Sequence, residues 1–229
     1  MNRVLYSLCG VDPARPFSPH CWKVVMALDH KGLSFVAMPR PFTAIPEIEG
    51  GATTTVPLLN DSGQLVKDSF AIALHLEEAY PERPTLFAGE GGKAVARFVE
   101  GYSQMVLHPA ITRIAVKNIH DMIDEQDRGY FRTSREERLG MRLEDLAAGR
   151  QAEIVAFPAK LEPLRHMLKH QPFLGGAAPL FADYIVFGAL QWLRITSGIE
   201  FLDGDDPASV WFERCLDLHQ ARGRSVTAA

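Results

Sequence analysis

The sequence predicts an α/β domain followed by an all-α one. Three observations predict it. Up to residue 80, short apolar runs alternate with amphipathic stretches in the order strand, helix, strand, then strand, strand, helix. From Pro81 to Gly92 the chain is rich in Pro and Gly and carries no periodic segment. Beyond it the helical period runs almost to the end. These boundaries put the α/β domain at residues 1–82, a linker at 83–92 and a helical domain at 93–229.

Each element has a local reason. Arg3–Cys9 reads as a strand. Pro19–Lys31 reads as a helix, because Trp22, Val25, Met26 and Leu28 recur at helical spacing and Gly32 stands just past its end as a stop. Ser34–Met38 and Thr55–Leu59 read as the second and third strands. Asp61-Ser62-Gly63 is a tight turn that returns the chain into Gln64–Lys67, a short fourth strand. Ser69–Tyr80 closes the domain as a helix. A helix between the first two strands implies a parallel pair with a right-handed crossover. The Asp-Ser-Gly turn implies an antiparallel hairpin. Together this is the arrangement of a small thioredoxin-like domain. Downstream, helices are expected over Lys93–Ile119, over Ser134–Gln171 with breaks near Gly149 and Pro158, over Phe181–Ser197 and over Ala208–Ala221. The charged run Thr133–Arg150 reads as a solvated amphipathic helix.

Composition narrows the functional classes. The chain has 229 residues, 47% hydrophobic and 23% charged, with a net charge of −4. Its charges are spread along the chain, which gives no support for a nucleic-acid surface or a polybasic membrane patch. No run approaches the ~20 apolar residues that span a bilayer. The first residues form too short an apolar run for a signal peptide. The cysteines are Cys9, Cys21 and Cys215, an odd and sparse set that argues for reduced thiols and a cytoplasmic protein. The eight histidines have no cysteine neighbours at zinc spacing, so no metal is expected.

Three short motifs carry potential chemistry. Ser18-Pro19-His20-Cys21 resembles a C-x-x-C redox site whose first cysteine is serine. Ser18 precedes a proline suited to the first turn of a helix, so it reads either as an N-cap or as a hydroxyl donor at a positive helix end. A thiol held there ionises more readily. Cys21 has no partner cysteine and reads as a small buried hydrophobe. Tyr6 is a rival hydroxyl, on a strand face shared with Val4 and Leu8 that suggests packing. In Thr55-Val56-Pro57-Leu58-Leu59, a cis Val56-Pro57 bond would expose both backbone groups of Val56 to an extended peptide; an ordinary trans proline at a strand start is the alternative. Asp68-Ser69 opens a helix. Ser69 reads as a cap or as a carboxylate site at the helix N-terminus, with Asp68 beside it able to hold an ammonium. Gly89–Lys93 lacks the spacing of a phosphate loop and there is no G-x-S-x-G elbow. His20 and His30 read as surface or helix-capping residues.

In this order, Ser18-Pro19, Val56-Pro57 and Asp68-Ser69 resemble the glutathione site of the cytosolic glutathione transferases. "DSFAIALHLEEAYPERPTLF" (Asp68–Phe87) is similar to that family's helix and linker signature, and "FLGGAAPLFADYIVFGALQW" (Phe173–Trp192) to its C-terminal helix-capping segment. "SPHCWKVVMALDHKGLSF", "PFTAIPEIEGGATTTVPLL" and "DDPASVWFERCLDL" further resemble the serine-type branch of bacterial β-aryl-etherases and related fungal enzymes. The resemblance implies the glutathione transferase fold, a thioredoxin-like domain plus an all-α bundle, and a homodimer. It implies glutathione as co-substrate, with Ser18 bonded to its thiolate, the Val56 backbone before a cis Pro57 paired with its cysteinyl unit, and Asp68 and Ser69 on its γ-glutamyl end. Arg40 or Thr43 would meet the glycyl carboxylate. A small hydrophobic electrophile would sit between the domains, with Tyr102, Met105 and His108 as candidate walls, although Met105 and Val106 fit the bundle core equally well. Aryl-ether cleavage is the narrower activity implied. Two rivals stay open: a glutathione-dependent reductase or lyase using Cys21 or Cys9, and a non-catalytic ligand-binding protein of the same fold. Two departures stand out. Asp68 replaces the family's more usual Glu, with the charge kept. Leu180 stands where the helix-capping box usually has Ser or Thr, leaving Asp183 without its reciprocal partner, at a cost of about 1 kcal/mol.

Overall fold

A computed structural model describes residues 3–229. The first part is a mixed sheet of β1 (Arg3–Leu8), β2 (Val36–Arg40), β3 (Leu58–Asp61) and β4 (Gln64–Lys67), in the order β2-β1-β3-β4. Helix α1 (Pro19–His30) crosses from β1 to β2, so those strands run parallel, with Val4 opposite Val36 and Tyr6 opposite Met38. β3 runs antiparallel to β1 and, through the turn at Ser62-Gly63, to β4. Ser62 and Gly63 take positive φ (57° and 101°), as the tight turn requires. Helix α2 (Ser69–Ala79) follows β4. β3 begins at Leu58, not Thr55: residues 55–57 form an unpaired approach to the strand, because a proline cannot donate to the ladder. Phe42–Gly50, which carries no periodic pattern, winds into short 3₁₀ turns.

The helical part comprises α3 (Glu90–Tyr102), α4 (His108–Met122), α5 (Glu125–Leu139), α6 (Leu143–Ala156), α7 (Glu162–Leu168), α8 (Phe181–Ser197) and α9 (Pro207–Ala221). Between α3 and α4 the chain makes a π-helical segment, Ser103–Leu107, in which the His108 N–H reaches back five residues to the Ser103 carbonyl. The expected break near Gly149 lies elsewhere. Gly149 is inside α6, and the stop is Gly140, whose left-handed backbone (φ 65°) ends α5 while its N–H bonds to the Glu136 carbonyl at 2.9 Å. α5 itself starts earlier than the charged run suggests, capped by Asp124 on the Gln126 N–H at 3.0 Å.

The two parts pack through α1 and α8. Gly188 permits the approach: a Cβ there would stand 2.4 Å from the Pro19 carbonyl oxygen. His30, at the end of α1, bonds the Tyr184 hydroxyl of α8 at 2.6 Å and the Thr85 carbonyl at 3.0 Å, so it is an interdomain pin rather than a surface residue. At the base of α8, Leu180 offers no side-chain acceptor, yet the cap is not weak. The buried Asp183 carboxylate accepts N–H bonds from Leu174 (2.7 Å), Gly175 (2.8 Å), Leu180 (3.0 Å) and the Trp211 indole (3.0 Å). Among the described residues no helix is long and apolar enough to cross a membrane, and no group of three or more His, Cys, Asp or Glu is placed to hold a metal ion.

Candidate active site

A cavity of about 1120 Å³ opens between the sheet domain and the helices, and Ser18, Val56, Pro57, Asp68 and Ser69 all line it. Ser18 is the N-cap of α1. Its Oγ accepts the Cys21 N–H at 3.3 Å, with Pro19 in the first turn where a missing N–H costs nothing. A hydroxyl accepting one bond from the helix still has a proton to donate. Val56-Pro57 is a cis bond, and the Val56 N–H and C=O have no hydrogen-bond partner among the described residues.

At α2 the roles differ from the sequence reading. The cap is Asp68, not Ser69. Asp68 Oδ1 accepts the Phe70 and Ala71 N–H groups at 2.9 and 3.0 Å, from a residue in the left-handed region (φ 71°). Its other oxygen carries no bond among the described residues. Ser69 is 1% exposed, and its Oγ has no partner. A buried hydroxyl left unpaired is uncommon, and one on a cavity wall at a helix N-terminus marks a place for an acceptor from outside the chain.

The remaining expectations divide. His108 and Thr43 line the cavity. Tyr102 does not: its hydroxyl donates to the Lys160 carbonyl inside the bundle. Met105 is 77% exposed and also lies outside the lining. Met105 lies inside the π-helical segment Ser103–Leu107, of which Gln104 rather than Met105 lines the cavity. Arg40 is exposed on β2 and lies outside the lining. Tyr6 donates to Glu49 at 2.8 Å and is likewise outside it.

His20 is not a surface residue. It lines the cavity beside Ser18, its Nδ1 lies 3.2 Å from the wholly buried Lys23 Nζ, and its ring centroid lies 5.1 Å from that of His108. Burial, then the Lys23 charge, lowers the His20 pKa to about 3. Burial lowers Lys23 to about 8, against the pull of Glu100 and Asp68. His108 packs on Trp192 and is held well below its usual pKa by burial and by His20; its Nε2 is buried without a partner. The sequence reading missed Trp192, Arg135 and Arg138, which also line the cavity. Trp192 was visible as the last residue of the quoted α8 segment, but its direction was not.

The three thiols are unpaired and buried. Burial pushes Cys21 up to about 12, only partly opposed by Ser18, and raises Cys9 and Cys215 as well. None has the environment of a reactive thiolate.

Residues 94–209 match the family described as glutathione S-transferase, C-terminal domain, and residues 13–84 the corresponding N-terminal domain. A glutathione S-transferase-like protein, ustS, of Aspergillus flavus is 25% identical over 210 residues, covering 78% of this chain and 75% of its own. The glutathione transferase GSTFuA3 of Phanerochaete chrysosporium superposes with a TM-score of 0.75 at 24% identity, over 97% of this chain and 93% of its own. CsGST83044 of Ceriporiopsis subvermispora, solved in complex with glutathione, gives 0.82 at 17% identity, over 96% and 98%. With the thioredoxin-like domain, the helical bundle and these matches together, the chain belongs to the glutathione S-transferase family of enzymes.

Proposed function

We propose that the protein conjugates glutathione to a hydrophobic electrophile, with Ser18 stabilising the glutathione thiolate. The observation that carries this reading is convergence. The Ser18 hydroxyl, the unpaired Val56 backbone and the unpartnered Ser69 Oγ meet on one cavity. They match the three parts of an extended γ-glutamyl tripeptide. The γ-glutamyl carboxylate takes Ser69 at the N-terminus of α2, and its ammonium takes the free oxygen of Asp68. The cysteinyl backbone pairs with Val56 as a short added strand. That leaves the sulfur at the N-terminus of α1, where helix dipole and hydroxyl both favour the anion. Thr43, on the lining, is the remaining candidate for the glycyl end.

The reaction then needs little else from the chain. The bound thiol loses its proton to solvent. The thiolate sulfur forms a bond to the electrophilic carbon, and the leaving group departs with the bonding electrons. Lowering the thiol pKa from ~8.5 towards neutrality makes most of it thiolate, and holding both reactants adds proximity. A route through Cys21 or Cys9 is disfavoured by their burial and raised pKa values. We also propose a homodimer formed through an exposed apolar stripe on α3.

The test is turnover of 1-chloro-2,4-dinitrobenzene by wild type, Ser18→Ala and Cys21→Ala, with the pKa of bound glutathione read from thiolate absorbance. Ser18→Ala should lose about 10²-fold in kcat with that pKa raised, the size of one anion-stabilising donor. Cys21→Ala should stay near wild type. Full turnover in Ser18→Ala with loss in Cys21→Ala would overturn the mechanism, and absence of glutathione binding would overturn the function. Release of the phenol from a β-aryl-ether model compound would narrow the electrophile to aryl ethers.

A further inference from the structure

The cavity wall is unbalanced in charge. Arg135 and Arg138 of α5 and Lys67 line it, whereas Asp68 is the one acidic residue among the described lining residues, with one of its oxygens committed to its helix cap. Elsewhere on the same helix Arg132 is paired with carboxylates, bonding Glu136 at 2.9 Å and Glu144 at 2.8 Å. Arg135 and Arg138 have no ion pair among the described residues. Arg135 lies instead over the rings of Phe131 (4.7 Å) and Phe42 (5.4 Å), with one bond to Ser134 Oγ at 2.9 Å. Stacking fixes the plane of the guanidinium and leaves its fork of donors available. A partly desolvated cation without a counter-ion is costly, and an arriving anion removes the cost. Arg138, one turn along the same face, is near enough for its charge to act on His108.

We propose that Arg135 and Arg138 form an anion receptor for the second substrate, which is an aromatic electrophile bearing a carboxylate or sulfonate. This rests on the conjugation reading above. The wall around the pair suits an aromatic body, with Tyr130, Phe131, Leu139, His108 and Trp192 on it. These residues belong to the helical side, whereas the groups assigned to glutathione come from the sheet domain. The other source of such an anion is glutathione's own glycyl carboxylate, and the experiment separates the two.

The experiment compares 4-chloro-3,5-dinitrobenzoate with the neutral 1-chloro-2,4-dinitrobenzene in wild type, the double variant Arg135→Gln/Arg138→Gln and the double variant Arg135→Lys/Arg138→Lys. The ratio of kcat/KM for the benzoate over the neutral halide should fall about tenfold in the Gln pair, as expected for a lost charge-assisted bond, and recover in part in the Lys pair. An unchanged ratio overturns the proposal. A rise in the KM for glutathione that is absent with γ-glutamylcysteine, which lacks the glycyl unit, also overturns it and moves the pair to glutathione. A second arm needs no chemistry: fluorescence titration with 8-anilinonaphthalene-1-sulfonate against the neutral N-phenyl-1-naphthylamine. The Gln pair should weaken the sulfonate about tenfold relative to the amine. Equal change in both sinks the receptor. Should neither halide be conjugated, the conjugation reading falls while this arm still reports on the arginines.

Discussion

The wholly buried ammonium of Lys23 donates to His20 Nδ1 across one turn of α1, at 3.2 Å, beside the Ser18 hydroxyl. An ammonium can only donate, so Nδ1 must accept and the imidazole proton sits on Nε2. Lys23 thus sets the tautomer of a cavity residue. Two-bond ¹H–¹⁵N spectra at pH 7 should show the Nε2–H form for His20, and Lys23→Met should redistribute it. Stability follows the same contact. Burial lowers Lys23 to about 8, so between there and the unfolded value of about 10.4 the unfolded chain binds more protons, and stability rises with pH across that window. The urea midpoint of wild type relative to Lys23→Met should therefore improve from pH 8 to pH 10 and stay level below pH 8. A difference that is flat throughout would mean that the lysine is not desolvated.

Ser69→Ala separates a structural serine from a ligand-binding one. Ser69 Oγ has no partner within the chain, so removing it deletes an unsatisfied group and should leave stability unchanged or raise it by up to about 1 kcal/mol. Glutathione binding should weaken about tenfold, as for a lost hydrogen bond to a charged group. Urea melts and titration calorimetry read the two effects. A large loss of stability with unchanged affinity would remove Ser69 from the site.

The parts of the site that were legible in the sequence are those set by local chain geometry. Pro19 and Gly32 bracket α1 and so place Ser18 at its N-terminus. The hairpin returns Asp68-Ser69 to a helix start, and Pro57 marks the unpaired approach to β3. What was hidden depended on how elements approach one another. Lys23 and His20 have the pattern of a solvated face, and the helical domain covers them: α8, brought close by Gly188, reaches Lys23, and His108 of α4 faces His20. Arg135 and Arg138, next to Glu136 and Glu137, have the same period whether they face water or a cavity. The π-helical Ser103–Leu107 breaks the 3.6-residue period, so spacing alone did not tell which of Tyr102, Met105 and His108 meets the cavity. At Leu180 the chain lost a capping side chain, and nothing nearby in sequence announced that Trp211 would supply a donor to Asp183.

That cluster gives a stability prediction. Asp183 satisfies three backbone N–H groups and the Trp211 indole, all at 3.0 Å or less, in a wholly buried place. Asp183→Ala leaves these donors unpaired and should cost at least about 3 kcal/mol. Asp183→Asn keeps one acceptor oxygen and should cost less. Chemical denaturation followed by tryptophan fluorescence measures both. Equal costs for the two variants would mean that packing, not donor satisfaction, sets the loss.

The last prediction concerns assembly. Val95, Phe98 and Met105 are 45%, 78% and 77% exposed, and they fall along one stripe of α3 continuing into the π-helical segment. Such a large exposed aromatic, with apolar neighbours at helical spacing, marks a surface that a partner covers. Two copies meeting across a two-fold axis would each present the same stripe, so one substitution acts twice at the interface. Light scattering should give twice the 25.4 kDa chain mass for wild type. Phe98→Glu places two carboxylates in an apolar contact and should yield monomer with its circular dichroism unchanged. Because the stripe lies outside the cavity lining, glutathione affinity should survive in the monomer. A wild-type monomer at working concentrations would sink the dimer, and a dimer that persists in Phe98→Glu would move the interface to another face.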